Sequence, residues 1–127
     1  MIGYDDSYTY WSNISYGEKL SEKFIRNNKD NVDWTGISYR QELSEKFIIE
    51  FQDRVDWHEI WRYQKLSEEF IIQFQDKADW LLISMFQNLS NEFILEHLDK
   101  LDCRALLFNS TIKLNPDIKS YIILLVG

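Results

Sequence analysis

A tryptophan recurs every 23 residues along this chain, and no other feature of the sequence restricts the fold as strongly. Residues 34–56 and 57–79 share 13 identities in 23 positions, so the periodicity results from duplication. A period of this length indicates tandem copies of one small supersecondary unit. The positions that keep the spacing are Trp11, Trp34, Trp57, Trp80 and Cys103, which stands where a fifth tryptophan would be.

Each period contains two signals for the start of a helix. In the repeated element Leu-Ser-Glu-x-Phe, a serine such as Ser21 can cap free backbone amides, and the glutamate after it suits the positive end of a helix. Asp33, directly before Trp34, can cap a second helix. Each period therefore predicts a helix of about nine residues, a turn, a helix of about seven residues and a short loop. Near the C-terminus, Asn115 before Pro116 predicts one more helix start.

These signals predict an all-α fold, an α-solenoid of tandem two-helix 23-residue repeats with degenerate terminal caps. We expect one domain over residues 1–127. Residues 1–10 would form an N-terminal cap, residues 11–102 four repeats, and residues 103–127 a degenerate repeat with a capping helix. Helices this short are unstable alone, so each must be stabilised by packing on its neighbours.

The W-x-x-I-S and L-S-E-x-F-I-x-x-F elements resemble the short helical repeats of uncharacterised proteins from large DNA viruses and bacteriophages. The resemblance covers about residues 11–118 and implies the repeat architecture and a viral or phage origin. It provides no catalytic motif. Small viral proteins of this kind often bind and block host factors, so the resemblance implies an inhibitor of a host defence complex.

The charge and the cysteine count restrict the partners and the compartment. The formal charge is −7, and no cluster of Lys or Arg offsets it. A negative surface repels phosphate backbones, so we expect a protein partner with a basic surface and no direct contact with nucleic acid. A single cysteine and no signal peptide favour the cytoplasm. The longest apolar run, residues 121–126, is too short to span a membrane, so we expect no membrane partner.

Residues that could carry catalysis or bind a metal are few. The sequence has no phosphate-binding glycine loop, no H-E-x-x-H and no G-x-S-x-G, and we therefore expect no enzyme and no cofactor. His58 and His97 are 39 residues apart, without a cysteine or histidine at ligand spacing, so no metal site is expected. His97 replaces a repeated phenylalanine and should be half-buried at the end of the core. Cys103 should be a small core residue and not a nucleophile.

Aromatic residues that depart from the repeat are candidates for partner binding. Trp61 stands where three other repeats have serine. Together with Tyr63, Phe86, Tyr39 and Tyr16, it would form an exposed aromatic strip after the short helix, and such strips are typical binding anchors. The alternative is that these side chains fold over neighbouring repeats and complete the core. The apolar column of Ile49, Ile72 and Leu95 is open to the same two interpretations.

Two columns of aspartates run through the repeats. One column caps the short helices, and the other, which includes Asp53 and Asp76, lies in the turn before them, where aspartate commonly binds its own backbone. Stacked repeats would also present these carboxylates as an acidic ladder that could occupy a basic groove. Asp53 and Asp76 are therefore candidate partner-binding residues. The alternative function is a structural or assembly protein that self-associates through its repeat ends as a homo-oligomer.

Overall fold

The computed structural model describes the backbone of residues 4–127 and the side chains from Ser7 onward. This part of the chain is all-α and contains no strand, which confirms the predicted fold class. Short helices alternate with turns in the order expected for two-helix repeats. The helices are α1 (Tyr4–Gly17), α2 (Glu22–Asn27), α3 (Trp34–Arg40), α4 (Glu45–Glu50), α5 (Trp57–Tyr63), α6 (Glu68–Gln73), α7 (Trp80–Phe86), α8 (Asn91–Glu96), α9 (Cys103–Phe108) and α10 (Pro116–Val126), with a 3-10 turn at Gln75–Lys77.

Both predicted kinds of helix start are confirmed. A serine side chain accepts a hydrogen bond from the amide three residues later at the start of α2, α4, α6 and α8. An aspartate caps α3, α5, α7 and α9 in a similar way. Asn115 accepts from the amide of Asp117, and Pro116 is the first residue of α10, as predicted. These local bonds satisfy amides that the helices leave free.

The helix after each capping serine is shorter than the prediction, since α2, α4, α6 and α8 have 6 residues each. In the second repeat, the amides of Arg54 and Val55 both donate to the carbonyl of Phe51, so the chain turns over instead of continuing the helix. The indole N–H of Trp57 donates to the carbonyl of Gln52 at 3.0 Å. The repeated tryptophan therefore closes this turn while its ring is half-buried.

The core consists of the repeated aliphatic and phenylalanine columns. Phe47 of α4 and Phe51, the residue that directly follows α4, are buried with ring centroids 4.7 Å apart, and the Trp34 ring centroid lies 5.1 Å from that of Phe51. Burial of apolar area is the main source of stability available to helices this short. Among residues 7–127, the isoleucines with no exposed surface are Ile25, Ile37, Ile48, Ile60, Ile71, Ile83, Ile94 and Ile122.

A buried glutamine links successive repeats, and the sequence did not reveal this role. The side-chain amide of Gln64 donates to the carbonyls of Ser38 at 3.0 Å and Gln41 at 2.6 Å. Its side-chain oxygen accepts from the amide of Leu43 at 3.0 Å. These bonds satisfy backbone groups at a turn that is shielded from water. Gln41 makes the same three kinds of bond to the repeat before it, with Ser15, Glu18 and Leu20.

The capping serine also bonds to the preceding repeat. The amide and hydroxyl of Ser44 donate to the two carboxylate oxygens of Glu22, at 2.7 and 3.0 Å. Ser90 makes the same pair of bonds to Glu68, at 2.7 and 3.1 Å. The Ser-Glu pair of the repeat therefore both starts a helix and joins it to its neighbour.

The chain divides into two units, residues 1–64 and residues 65–127. In the first unit α1 packs on α3 and α3 on α5; in the second, α7 packs on α9 and α9 on α10. Residues 4–10, the described part of the predicted N-terminal cap, are the first turns of α1. Residues 1–3 of that prediction lie outside the described residues.

Candidate functional site

Three tyrosines from successive repeats form a row on the first unit. The ring centroids of Tyr16 and Tyr39 are 6.1 Å apart, and those of Tyr39 and Tyr63 are 4.4 Å apart in an edge-to-face arrangement. Tyr16 and Tyr63 expose 38% and 41% of their surface, while Tyr39 is half-buried. This group, Tyr16, Tyr39 and Tyr63, is named the tyrosine row. It presents aromatic surface and phenol groups together on one side of the unit.

The position of Tyr16 depends on a glycine in the next short helix. A Cβ atom added at Gly36 would lie 2.7 Å from Cδ2 of Tyr16, a separation that requires a shift. Gly36 itself is buried in α3. The missing side chain therefore lets the Tyr16 ring lie directly against α3, where Tyr39 follows in the row.

Two arginines border the tyrosine row. The guanidinium carbon of Arg40 lies 5.7 Å from the ring centroid of Tyr39, and that of Arg62 lies 5.0 Å from the ring centroid of Tyr63. Arg40 also donates from Nε to the carbonyl of Tyr16 at 3.1 Å. Cation–π contacts of this kind hold the side chains near the rings without burying their charge.

Burial affects the phenol groups of Tyr16 and Tyr63 in the same direction. Desolvation is the largest cause that raises the pKa of Tyr16, and the carboxylate of Asp33 adds to it. Desolvation also raises the pKa of Tyr63, with Arg62 opposing the shift and Glu59 adding to it. Both pKa values therefore move away from neutrality, and a side-chain hydrogen bond with Tyr39 adds to the shift of Tyr63.

Trp61 does not join this exposed group, so the prediction of an exposed anchor at this position is wrong. Only 1% of Trp61 is exposed, and its ring centroid lies 5.5 Å from that of Trp57. The serine found here in other repeats binds the cap of the next short helix, as Ser38 of α3 accepts from the amide of Asp56, the cap of α5, at 3.0 Å. An indole cannot accept that bond, and it contributes apolar volume to the core instead.

The remaining aromatic candidate, Phe86, lies at the end of α7 in the second unit and exposes 36% of its surface. Phe86 is therefore a surface residue, as expected for a member of an exposed aromatic strip. Tyr39 and Tyr63 are brought together in the first unit. The predicted strip is reduced to the tyrosine row on one unit and an exposed phenylalanine on the other.

The two candidate partner-binding aspartates of the turn column are exposed. Asp53 lies in the first unit and Asp76 in the second. The column differs in its pairing from one repeat to the next. Asp30 accepts from Nη2 of Arg54 at 2.8 Å, so its charge is partly neutralised. The capping column is also bonded to the preceding short helix, since the hydroxyl of Thr35 in α3 donates to Asp56, the cap of α5, at 3.2 Å.

The side chains that could carry catalysis or bind a metal are His97, Cys103 and His58, and their surroundings are those of structural residues. His97 is half-buried with its ring 4.4 Å from Phe93, which confirms the expected place at the edge of the core. Desolvation, with a smaller contribution from Asp102, raises the pKa of Cys103, so the thiolate is disfavoured. His58 is exposed, with Nδ1 3.3 Å from a carboxylate oxygen of Glu59.

In the part of the chain that the structure describes, no three His, Cys, Asp or Glu side chains are grouped so that they could hold a metal ion. Among the helices of residues 4–127, none is long and apolar enough to cross a membrane. The chain matches no family model, no curated protein and no solved structure.

Proposed function

We propose that this protein is a non-enzymatic module that binds another protein through an aromatic and acidic surface. The observation that carries the proposal is the tyrosine row, in which successive repeats place partly exposed rings 6.1 and 4.4 Å apart. Tyrosine is enriched among residues that dominate binding energies, because a rigid aromatic ring and a hydroxyl are offered together at low entropic cost. Because Tyr39 is half-buried, its ring is held in place before a partner binds, which lowers the entropic cost of binding.

The charge of the molecule favours a basic partner. The net charge is −7, and Asp53 and Asp76 are exposed in the turns. Acidic surfaces attract basic proteins over long range and speed association, while aromatic anchors provide contact energy. We propose that the two features act together, with the tyrosine row as the anchor and the aspartates as the attracting field.

The proposed origin and compartment of the protein rest on the resemblance of its repeats to those of large DNA viruses and bacteriophages. On that basis we propose that the partner belongs to a host defence complex and that binding inhibits it in the host cytoplasm. A basic nucleic-acid-binding groove is the kind of surface that an acidic protein would block.

The test is capture of partners from host lysate by the wild-type chain and two single variants. Tyr39→Ala should weaken capture by about 2 kcal/mol, because it removes the centre of the row. Tyr10→Ala is the matched control, since Tyr10 lies in the same unit, is 47% exposed and is outside the row. Equal capture by both variants, together with binding unchanged from about 50 to about 500 mM salt, would contradict both the aromatic and the acidic contribution.

A second candidate function, self-assembly through the repeat ends, is favoured by apolar exposure near the C-terminus. Phe108 is 84% exposed, and Leu124 and Leu125 of α10 are 77% and 51% exposed. Apolar side chains exposed to this degree are typical of surfaces that another chain covers. Sedimentation at increasing protein concentration separates the candidates, because assembly predicts a rising average mass and the binding module a constant one.

A further inference from the structure

One arginine shows how the grooves between the serine-capped helices can hold a guanidinium group. Arg26 of α2 reaches across to α4, where Nε and Nη2 donate to the two carboxylate oxygens of Glu50, each at 2.8 Å. Its guanidinium carbon lies 5.7 Å from the ring centroid of Phe47. A bidentate carboxylate and an aromatic face are the two contacts that a guanidinium uses best.

The groove between α6 and α8 repeats this arrangement without the arginine. Residues 46 positions later are Ile72 in place of Arg26, Phe93 in place of Phe47 and Glu96 in place of Glu50. Isoleucine is shorter than arginine and carries no charge, and the groove is an open cleft of about 460 Å³. Ile72, Phe93 and Glu96 all line it.

The charge of the cleft also differs from that of the filled groove. Glu69 stands where the first repeat has Lys23, so an acidic residue replaces a basic one at this position. Glu69 and Glu96 line the cleft and form no ion pair within residues 7–127. Glu68 also lines it, but both of its carboxylate oxygens accept hydrogen bonds from Ser90. The cleft is therefore a negative site with a phenylalanine ring and two available carboxylates.

We propose that the cleft between α6 and α8 binds an arginine side chain of the partner protein. The guanidinium lies against Phe93 and donates two hydrogen bonds to Glu96, as Arg26 does with Phe47 and Glu50, and Glu69 adds attraction at the entrance. This inference rests on the proposed function, because it names the chemistry by which a basic partner is recognised. Lysine fits less well, since its ammonium group cannot make the planar bidentate contact.

The test uses the full chain with a short arginine peptide and a lysine peptide of equal length, both blocked at their ends. Binding is followed by NMR through the ring signals of Phe93 and His97, which line the cleft. The arginine peptide should shift these signals and bind about tenfold more tightly than the lysine peptide. Equal affinities for the two peptides would overturn the assignment of a guanidinium site.

Three variants locate the binding. Glu96→Gln should weaken the arginine peptide about tenfold, whereas Glu92→Gln, an exposed change on the same helix outside the cleft, should weaken it less than about twofold. Ile72→Arg should abolish binding, because it places an internal guanidinium where the peptide would bind. Equal losses in Glu96→Gln and Glu92→Gln would overturn the proposal, and this comparison remains valid even if Ile72→Arg does not fold.

Failure of this inference is distinguishable from failure of the proposed function. If the wild-type chain captures a protein through the tyrosine row but does not bind the arginine peptide, only the arginine site is overturned. If the peptide binds at Glu96 while no protein is captured, the site stands and the protein-binding function is overturned.

Discussion

The side-chain amide of Gln64 donates a hydrogen bond of 2.6 Å to the backbone carbonyl of Gln41, its counterpart in the preceding repeat. Gln41 in turn bonds to the carbonyls of Ser15 and Glu18. The repeats of the first unit are therefore joined by a relay of glutamines as well as by apolar contacts. Since Gln64 is only 6% exposed, water cannot replace these bonds if the side chain is removed.

Gln64→Leu should lower the free energy of unfolding by about 3 kcal/mol, because three buried backbone groups lose their partner. Gln75→Leu is the control, since Gln75 is exposed in the 3-10 turn. Urea unfolding followed by circular dichroism measures both. A similar small loss in the two variants would show that the glutamine relay contributes little.

Trp61→Ser should lower the free energy of unfolding by about 3 to 5 kcal/mol, although it restores the residue of the other repeats. The reason is that Trp61 is 1% exposed, so its removal leaves a cavity. Tyr63→Ser, at a position that is 41% exposed, should lose less than about 1.5 kcal/mol. A Trp61 variant as stable as the wild type would contradict the burial of this side chain.

How far the sequence could predict these features depends on the range of the interactions involved. Ser21 and Asp33 were recognisable as caps because a cap bonds to amides two or three residues away. Gln64 repeats visibly, but its role depends on carbonyls up to 26 residues away. A tryptophan in place of the repeated serine at position 61 is compatible with a core residue and with a surface residue. Only the packing of the neighbouring helices decides between the two positions.

The tyrosine row was predicted in part. Tyr16 and Tyr39 keep the 23-residue spacing, whereas Tyr63 is 24 residues from Tyr39 and therefore belongs to the next column. The sequence indicates that these columns lie side by side at the end of the short helix, but it does not give the distance between the tyrosine rings. The 4.4 Å approach of Tyr39 and Tyr63 arises from the packing of α3 on α5.

Arg26→Leu should raise the pKa of Glu50. The hydrogen bond from Arg26 is the largest cause that lowers this pKa in the folded protein. A lowered folded-state pKa stabilises the fold above the ordinary carboxyl pKa, and the contribution is lost as pH falls through the lowered value. NMR titration of the Glu50 carboxyl measures the change. Arg54→Leu, which removes the partner of Asp30, should leave Glu50 unchanged.

Cys103 should react with iodoacetamide more slowly than a free cysteine at neutral pH. Desolvation raises its pKa most, and the Asp102 carboxylate adds to the shift, so less thiolate is present. Asp102→Asn retains a capping side chain and should speed the reaction by lowering the pKa. Because Cys103 is the one cysteine, the alkylation rate against pH reports it directly. An unchanged profile in Asp102→Asn would contradict the electrostatic contribution.

Gly36→Ala tests whether Tyr16 depends on the glycine beneath it. Alanine is the better helix former by about 1 kcal/mol, so propensity alone predicts a more stable protein. The added Cβ would instead lie 2.7 Å from the Tyr16 ring, and we expect a net loss of stability together with displacement of that ring. Gly17→Ala is the control, because nothing lies within 4 Å of its added Cβ.

A double-mutant cycle separates the ring contact from the backbone effect. In a Tyr16→Ala background, Gly36→Ala should cost less than in the wild type, since the two nearest contacts, to Cδ2 and Cε2 of the Tyr16 ring, are removed. Urea unfolding of the four proteins gives the coupling energy, and NMR of the Tyr16 and Tyr39 rings reports whether the row is disturbed. Equal costs of Gly36→Ala in both backgrounds would mean that Tyr16 does not need the glycine. In that case the row would be set by Tyr39 and Tyr63, and partner binding should tolerate alanine at position 36.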